Sequence, residues 1–279
     1  MSSTEVALLG AIAGFTIFLG LPVARIRGLS PRTRGFLSVT SAGILLFIFW
    51  DVLAAAIDII EASLHAAQAD GSWAPFVLRL AMGLGGLALG AIGLGSLEAK
   101  VMHGPPPIAG GSADVISAEA SAVEVSERRR RALSLGMMIA VAIGLHNFSE
   151  GLAIGVSARS GDIALAGTLI LGFALHNATE GFGIVGPLGE IRPSWGWLFV
   201  AGLVGGGPTF VGTLVGYRVT SEPLELAFYA LAAGAILYVV GQIWGPAQRR
   251  FSSRFVLTAL VVGFSLGLLS DLIITAGGG

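Results

Sequence analysis

The chain has no cysteine, so neither disulfide bonds nor thiolate metal ligands are available to it. Charged residues are also scarce, at 12% of the chain, about half the share of a typical soluble domain. The net charge is −1, which gives no support for a nucleic-acid partner. The segment from Met1 to Thr4 lacks the basic start of a cleaved signal peptide, so we expect the first apolar run to be retained as a membrane span.

The chain is rich in apolar residues. They make up 54% of the chain, and the mean hydropathy is +0.84. Runs of about 20 apolar residues, the length that crosses a bilayer, predict an all-α integral membrane protein with eight transmembrane helices in a single domain over 1–279. The predicted spans are 5–24, 36–60, 75–97, 133–157, 162–187, 195–217, 223–246 and 255–276.

The positions of lysine and arginine indicate an orientation for these spans. If the odd-numbered spans lead inward, thirteen of the sixteen Lys and Arg residues fall on the inner side, as positive charge does in membrane proteins. We therefore expect both termini outside, in a multi-pass protein of the plasma (inner) membrane. The long connection 98–131 is predicted to be a flexible cytoplasmic loop, with a short helix at 114–131 running into the fourth span.

One six-residue phrase occurs in two successive predicted spans, 30 residues apart. Its copies are His146-Asn147-Phe148-Ser149-Glu150-Gly151 and His176-Asn177-Ala178-Thr179-Glu180-Gly181. Residues i and i+4 lie on one face of a helix, so each His faces the Glu of its own copy. Each ionisable group at bilayer depth costs about 2.5–3.5 kcal/mol on insertion scales, and stability alone does not explain that cost.

Antiparallel neighbouring spans bring the two copies to similar depth. The side chains then predicted to face one gap are His146, Glu150, His176 and Glu180. Two imidazoles and two carboxylates suit Zn²⁺, and the same nitrogen and oxygen mixture accepts Fe²⁺, Mn²⁺, Co²⁺, Ni²⁺ or Cd²⁺. Asn147 and Asn177 either supply amide oxygens to an adjacent position or orient the carboxylates. The alternative is a pair of polar seams that satisfy each other by hydrogen bonds.

Two further acids lie in predicted spans. Asp51, deep in the second span, is expected to line the path of the metal, and the alternative is a water-facing or arginine-paired carboxylate. Asp271 lies near the outer end of the eighth span and is expected to be interfacial.

The paired HN-x-x-EG motif resembles the ZIP family of metal transporters (Zrt-, Irt-like proteins), and the resemblance covers most of the chain. It includes eight spans, outer termini, a long cytoplasmic loop after the third span and the motifs in the fourth and fifth. Segments 209–217 and 233–248 are similar to the sixth and seventh spans of the family. The resemblance implies a bundle with an inverted relation between spans one to three and six to eight.

The resemblance also implies a function, the movement of divalent metal into the cytoplasm along spans two, four, five and seven. Zinc is the expected cargo, with iron, manganese and cadmium as further ones, and no cofactor is expected. The expected partners are the metal ion and the lipid bilayer, and a homodimer is left open. The implied primary ligands are His146, Glu150, His176 and Glu180, with Asn147 and Asn177 on a second, adjacent site.

Four positions depart from the family pattern. Ser149 and Thr179 stand where proline is common, and their hydroxyls are able to bond the preceding turn. Thr209 replaces a glutamate that is usual in the sixth span, and Gln242 replaces an acid that is common near the end of the seventh. We therefore expect one well-formed site, with the second weak or absent.

Two other functions use the same ligands. A membrane metal-dependent hydrolase or oxidoreductase needs an open coordination position and a general base. The motifs give little sign of either, and we do not expect an enzyme. A metal-binding sensor is the other alternative, and a measurement of flux separates it from a transporter.

Overall fold

The computed structural model describes residues 2–26, 28–102, 113–160, 174, 177–218 and 221–276, and the regular elements among them are all helical. Two short 3-10 helices lie at Leu21–Arg25 and Gly186–Leu188. The α-helices are α1 (Ser3–Phe15), α2 (Ile17–Gly20), α3 (Pro31–Asp70), α4 (Trp73–Met102), α5 (Ala113–Ser160), α6 (177–185), α7 (Trp195–Arg218), α8 (Glu222–Arg250) and α9 (Ser253–Ala276).

Seven helical segments within the described ranges are long and apolar enough to cross a membrane. They coincide with seven of the eight predicted spans and agree with an all-α membrane protein. The fifth predicted span, 162–187, falls largely outside the described residues, and α6 covers its end. The count of eight, like the inverted relation between the two halves, stays a prediction.

The ends of two helices lie beyond the predicted spans. α3 has 40 residues, because the Ser30 side chain caps its start by accepting the Thr33 N–H, Pro31 opens its first turn, and Gly71 ends it at φ 77°. α5 begins at Ala113, so a single helix carries both the segment 114–131 and the fourth span. Hydropathy marks only the apolar middle of such helices.

The helices pack as two groups. In the first group, α1 and α5 both pack on α7, and Gly181 of α6 lies against Gly20 of α2. In the second group, α3 packs on α4, α8 and α9, and α4 packs on α8. Between the two groups, α5 packs against α8. The two groups meet along the helix that carries the first motif copy.

Glycine allows backbones to touch within each group. Where α1 crosses α7, a Cβ on Gly14 would strike the carbonyl oxygen of Gly206, and a Cβ on Gly206 would strike that of Gly14. Gly90 of α4 meets the backbone of α8 in the same way. Small residues permit this close approach between membrane helices. Each group is therefore held by close backbone contacts.

One end of the bundle, here called the arginine-rich end, ties several connections together through arginine. Arg25 donates a hydrogen bond of 2.5 Å to the carbonyl of Pro193. Arg34 donates one of 3.0 Å to the carbonyl of Gly189. These bonds join the start of α3 and the 3-10 helix Leu21–Arg25 to the connection before α7. In the predicted orientation this end faces the cytoplasm.

The opposite end is closed by two contacts between helix ends. Arg79, near the start of α4, forms an ion pair of 2.6 Å with Glu222 at the start of α8. Arg159, near the end of α5, donates to the carbonyl of Arg218 at the end of α7. Each contact lies within one group of helices, so neither ties the two groups together.

Candidate metal centre

The first motif copy lies in a buried part of α5. His146 and Glu150 are one turn apart and only 3% and 6% exposed. The Nε2 atom of His146 lies 3.2 Å from Oε1 of Glu150. The spacing of four residues predicted that the two side chains share one face of the helix, and this is confirmed.

The second motif copy contributes Asn177 and Glu180 from α6, and both are buried. Oε1 of Glu180 lies 3.9 Å from Nε2 of His146. One imidazole therefore stands between a carboxylate of its own helix and a carboxylate of α6. His176 lies outside the described residues, so its place in this set stays a prediction.

The observed separations are compatible with ligands of one ion. Two atoms bound tetrahedrally to one Zn²⁺ at about 2.1 Å stand about 3.4 Å from each other. The separations from His146 to Glu150 and Glu180, 3.2 and 3.9 Å, lie on either side of that value. No three His, Asp or Glu side chains of the described residues converge closely enough to form a complete metal cluster.

Several buried oxygen atoms at this junction receive no hydrogen bond of ordinary geometry from the described residues. They are Oε2 of Glu150, both carboxylate oxygens of Glu180, Oδ1 of Asn147, Oδ1 of Asn177 and Oγ1 of Thr209. Buried polar atoms nearly always have a partner. Carboxylate, amide and hydroxyl oxygens can all bind a cation. If the polar side chains of the two motif copies only bonded each other, fewer of these oxygens would be left without a partner.

Each motif asparagine is bonded to a helix outside the motif pair. Nδ2 of Asn147 donates to the carbonyl of Gly205 in α7 at 3.0 Å. Nδ2 of Asn177 donates to the carbonyl of Ala13 in α1 at 2.9 Å. The nitrogen of each amide is thus occupied, and its oxygen remains for another partner. The bonds also hold α5 and α6 against α7 and α1.

Both acceptor carbonyls lie beside an irregularity of their own helix. α1 ends two residues after Ala13, whose carbonyl also accepts a hydrogen bond of 2.6 Å from the Thr16 hydroxyl. Pro208, three residues after Gly205, has no N–H to donate within α7. Pro208 was visible in the sequence, but its relation to Asn147 depends on how α5 and α7 cross.

A cavity of about 110 Å³ reaches His146 and Glu150 from the end of the bundle opposite the arginine-rich end. Asp51 of α3, Tyr229 of α8 and Asp271 of α9 line the same cavity. The two aspartates therefore present carboxylates on the approach to the buried imidazole. No ion pair joins Asp51 to an arginine among the described residues.

Asp271 lines the cavity together with Asp51 and His146. Its expected position at the membrane interface, based on its closeness to the end of a span, stays a prediction, and its place in the cavity was not foreseen. In the sequence, the feature that could have indicated its place in the cavity is that it is an acid within an apolar run. The sequence does not reveal that the end of α9 packs beside α3.

Two of the departures from the family pattern have clear contacts. The Ser149 hydroxyl donates to the carbonyl of Leu145, one turn back, over a long 3.5 Å, as expected for a hydroxyl in a helix. Thr209 is fully buried in α7. Its hydroxyl oxygen is neutral, whereas a glutamate at this position would carry a charge.

Gln242 is bonded to a carboxylate from another helix. Its Nε2 donates to Oε2 of Glu98 in α4 at 2.9 Å, and the Tyr238 hydroxyl donates to the same oxygen at 2.8 Å. Inspection of the sequence missed Glu98, because nothing in the order of residues connects it to Gln242. The acid that α8 lacks at this point is present in space on α4.

A second cavity, of about 160 Å³, lies at the arginine-rich end between α3, α5, α8 and the 3-10 helix Gly186–Leu188. Gln242 and Glu190 are part of its lining. The residue of α5 that lines this cavity is Leu135. It lies eleven residues before His146, about 16 Å along the helix. The described lining of this cavity includes no motif residue.

Two comparisons of the sequence with known proteins found similar chains. The family model described as ZIP Zinc transporter matches residues 109–242, which include both motif copies. The zinc transporter ZupT of Corynebacterium glutamicum is 29% identical over 274 residues, covering 93% of this chain and 97% of that protein. The shared motifs and the match over nearly the full length of both chains make this chain similar to the ZIP family of zinc transporters.

Proposed function

We propose that this chain carries a divalent transition metal, zinc first and also iron, manganese or cadmium, across the membrane into the cytoplasm. The observation that carries the proposal is the buried imidazole of His146, 3.2 Å from Glu150 and 3.9 Å from Glu180. The match to a family of zinc transporters, and to a relative named for zinc transport, supports the same class of cargo.

The proposed metal ligands are the imidazoles and carboxylates of the two motif copies, His146, Glu150, His176 and Glu180. Nitrogen and carboxylate oxygen suit Zn²⁺ and its neighbours among the divalent metals. Asn147 and Asn177 offer neutral oxygens to a second, weaker position, with Thr209 in place of a charged ligand. The metal is the transported substrate in this scheme and not a resident cofactor.

Entry is proposed through the cavity lined by Asp51 and Asp271. Two carboxylates in a narrow cavity raise the local concentration of cations before they lose their water. With both termini outside, this cavity opens to the exterior, and the metal would pass from the aspartates to His146 and Glu150. Asp51 would thus act as an approach ligand.

Release is proposed at the arginine-rich end, through the cavity lined by Gln242. The lining of that cavity on α5 ends about 16 Å from His146, so a shift of helices has to connect the two. In an alternating-access mechanism, such a shift would connect the motif residues to one cavity and then to the other. Metal ligands of this kind bind only when deprotonated, so protons compete with the metal at the site.

Flux into proteoliposomes tests the proposal. The parent chain should take up zinc, and a variant with both His176→Ala and Glu180→Ala should lose uptake by more than about tenfold, since loss even of a ligand's supporting partner costs 10–100-fold. Glu61→Gln, an exposed carboxylate of α3 away from the cavity, is the matched control and should transport like the parent. Zinc, iron and manganese uptake by the double variant at the parent's rate would refute the assignment.

The same assay separates the two alternatives. A sensor would bind zinc through the motif residues and show no flux in the parent. A metal-dependent hydrolase would turn over a substrate without moving metal. The two opposed cavities on either side of the motif residues favour the transporter.

A further inference from the structure

The start of α3, the end of α8 and the start of α9 come together at the arginine-rich end. A surface cavity of about 490 Å³ lies between them. Its polar and aromatic lining consists of Arg32 and Arg250, Phe251 and Phe255, and Ser30 and Ser252. The described lining contains two positive charges and no carboxylate.

Aromatic faces hold both arginines at this cavity. The guanidinium carbon of Arg32 lies 5.4 Å from the ring centre of Phe255, and that of Arg250 lies 5.8 Å from the ring centre of Phe251. Both distances are within cation–π range. The two rings pack with centres 4.8 Å apart, and Phe255 also meets Phe36 edge to face. The rings therefore hold both guanidinium groups at one aromatic cluster.

Within the part of the chain that the structure describes, the N–H groups of these two arginines have no hydrogen-bond acceptor. Neither Arg32 nor Arg250 makes a hydrogen bond or an ion pair with another described residue. Arg34, two residues further along α3, instead donates to the carbonyls of Leu29, Gly189 and Ile26. The contrast separates an arginine that holds the fold together from a pair that faces open space.

The surroundings of the pair indicate what can bind there. A planar guanidinium matches the oxygens of a phosphate, often through two hydrogen bonds. Just beyond the cavity, α9 exposes Val262 at 37% and Leu266 at 48%, about two and three turns after Phe255 on the same face. A ligand with a phosphate and a hydrocarbon part fits both features, whereas a free anion uses only the first.

We propose that this cavity binds the headgroup phosphate of an anionic phospholipid, whose acyl chains lie along the exposed face of α9. Positive charge at the end of a span attracts anionic lipid in general, and the aromatic cluster makes this a defined site. Pro31, Arg250 and Phe251 line both this cavity and the neighbouring cavity of about 160 Å³. The bound headgroup would thus share a wall with the proposed release cavity.

Lipid retention by the purified chain tests the proposal. Parent and variants are compared in detergent by native mass spectrometry and thermal unfolding, with phosphatidylglycerol, phosphatidylcholine or inorganic phosphate added. The parent should retain phosphatidylglycerol and unfold at a higher temperature with it than with phosphatidylcholine. Arg32→Gln and Arg250→Gln should each weaken retention about fivefold, the contribution of one juxtamembrane charge. Arg249→Gln, an exposed neighbour outside the lining, should behave like the parent.

The outcomes decide between sources of the phosphate. Equal retention of phosphatidylglycerol by the parent and by the double variant Arg32→Gln with Arg250→Gln would overturn the site. Stabilisation by inorganic phosphate as large as that by the lipid would also overturn it, because the hydrocarbon would then contribute nothing. If the glutamine pair does not fold, the Arg32→Lys with Arg250→Lys pair decides: weaker retention supports the site, and parent-like retention overturns it.

Discussion

The imidazole of His146 stands 3.9 Å from the carboxylate of Glu180, and this separation joins two motif copies that are 30 residues apart in the sequence. The same imidazole is 3.2 Å from Glu150 on its own helix. Helix geometry accounts for the second distance, whereas the first depends on the contact between α5 and α6. The two copies therefore meet at one place in the structure.

Zinc binding should reveal that the two glutamates act on the same ion. We expect Glu150→Gln and Glu180→Gln each to weaken binding, and the double variant to lose less free energy of binding than the two single losses together, because neighbouring groups couple. Titration of the purified parent and the three variants with zinc measures this. Additive losses would mean that the carboxylates serve separate ions.

Replacing Gly151 by alanine should destabilise the contact between α5 and α7. A Cβ there would strike the carbonyl oxygen of Thr209, and forcing atoms into a packed contact costs about 1–3 kcal/mol. Gly207→Ala is the matched control, because no heavy atom lies within 4 Å of the Cβ that it would add. Unfolding in detergent should show a loss for the first variant and little change for the second, and equal effects would contradict the close contact.

Neutralising the cavity aspartates should raise the KM for zinc more than it lowers the maximal rate. Asp51→Asn with Asp271→Asn removes two charges from the approach to His146, and we expect a rise in KM of about tenfold at low salt. The difference should shrink at high salt, where screening weakens attraction. Asp58→Asn, an exposed acid two turns further along α3, should leave KM unchanged. A fall in maximal rate at constant KM would argue against an approach role.

The single substitution Gln242→Glu should lower the stability of the protein. Gln242→Glu puts a second carboxylate against Glu98, 2.9 Å from the present amide nitrogen, and removes a hydrogen bond. Two like charges at that distance repel, and the variant should lose about 1–3 kcal/mol of stability. The double variant Glu98→Gln with Gln242→Glu moves the charge to α8 and should recover most of the loss. Thermal unfolding of the single and double variants measures this, and no recovery would mean that the carboxylate is needed on α4 itself.

The helical architecture was largely predictable because its causes are local. Runs of apolar residues set the spans, and the described helices coincide with seven of them. The greater length of α3 also has local causes, since Ser30, Pro31 and Gly71 are ordinary signals for the start and end of a helix. Hydropathy overlooked them because they lie in polar sequence.

The candidate site was only partly predictable. The repeated motif pointed to His146, Glu150 and Glu180, and Asp51 was singled out as an acid deep in a predicted span. Contacts between distant segments were missed. They comprise Asp271 in the cavity, the bond from Asn147 to Gly205, the bond from Asn177 to Ala13, and the bond from Gln242 to Glu98.

The sequence by itself determined a membrane-spanning helical chain with two copies of a His-Glu motif, because hydropathy and helical spacing act over a few turns of one segment. Only the tertiary structure decided that His146 meets Glu180, that each motif asparagine is anchored to a different helix, and that Glu98 stands against Gln242. These relations depend on how the helices cross, and the crossings are set by glycines at which backbones touch. The partners at such a crossing are far apart in the chain, so no local pattern identifies them.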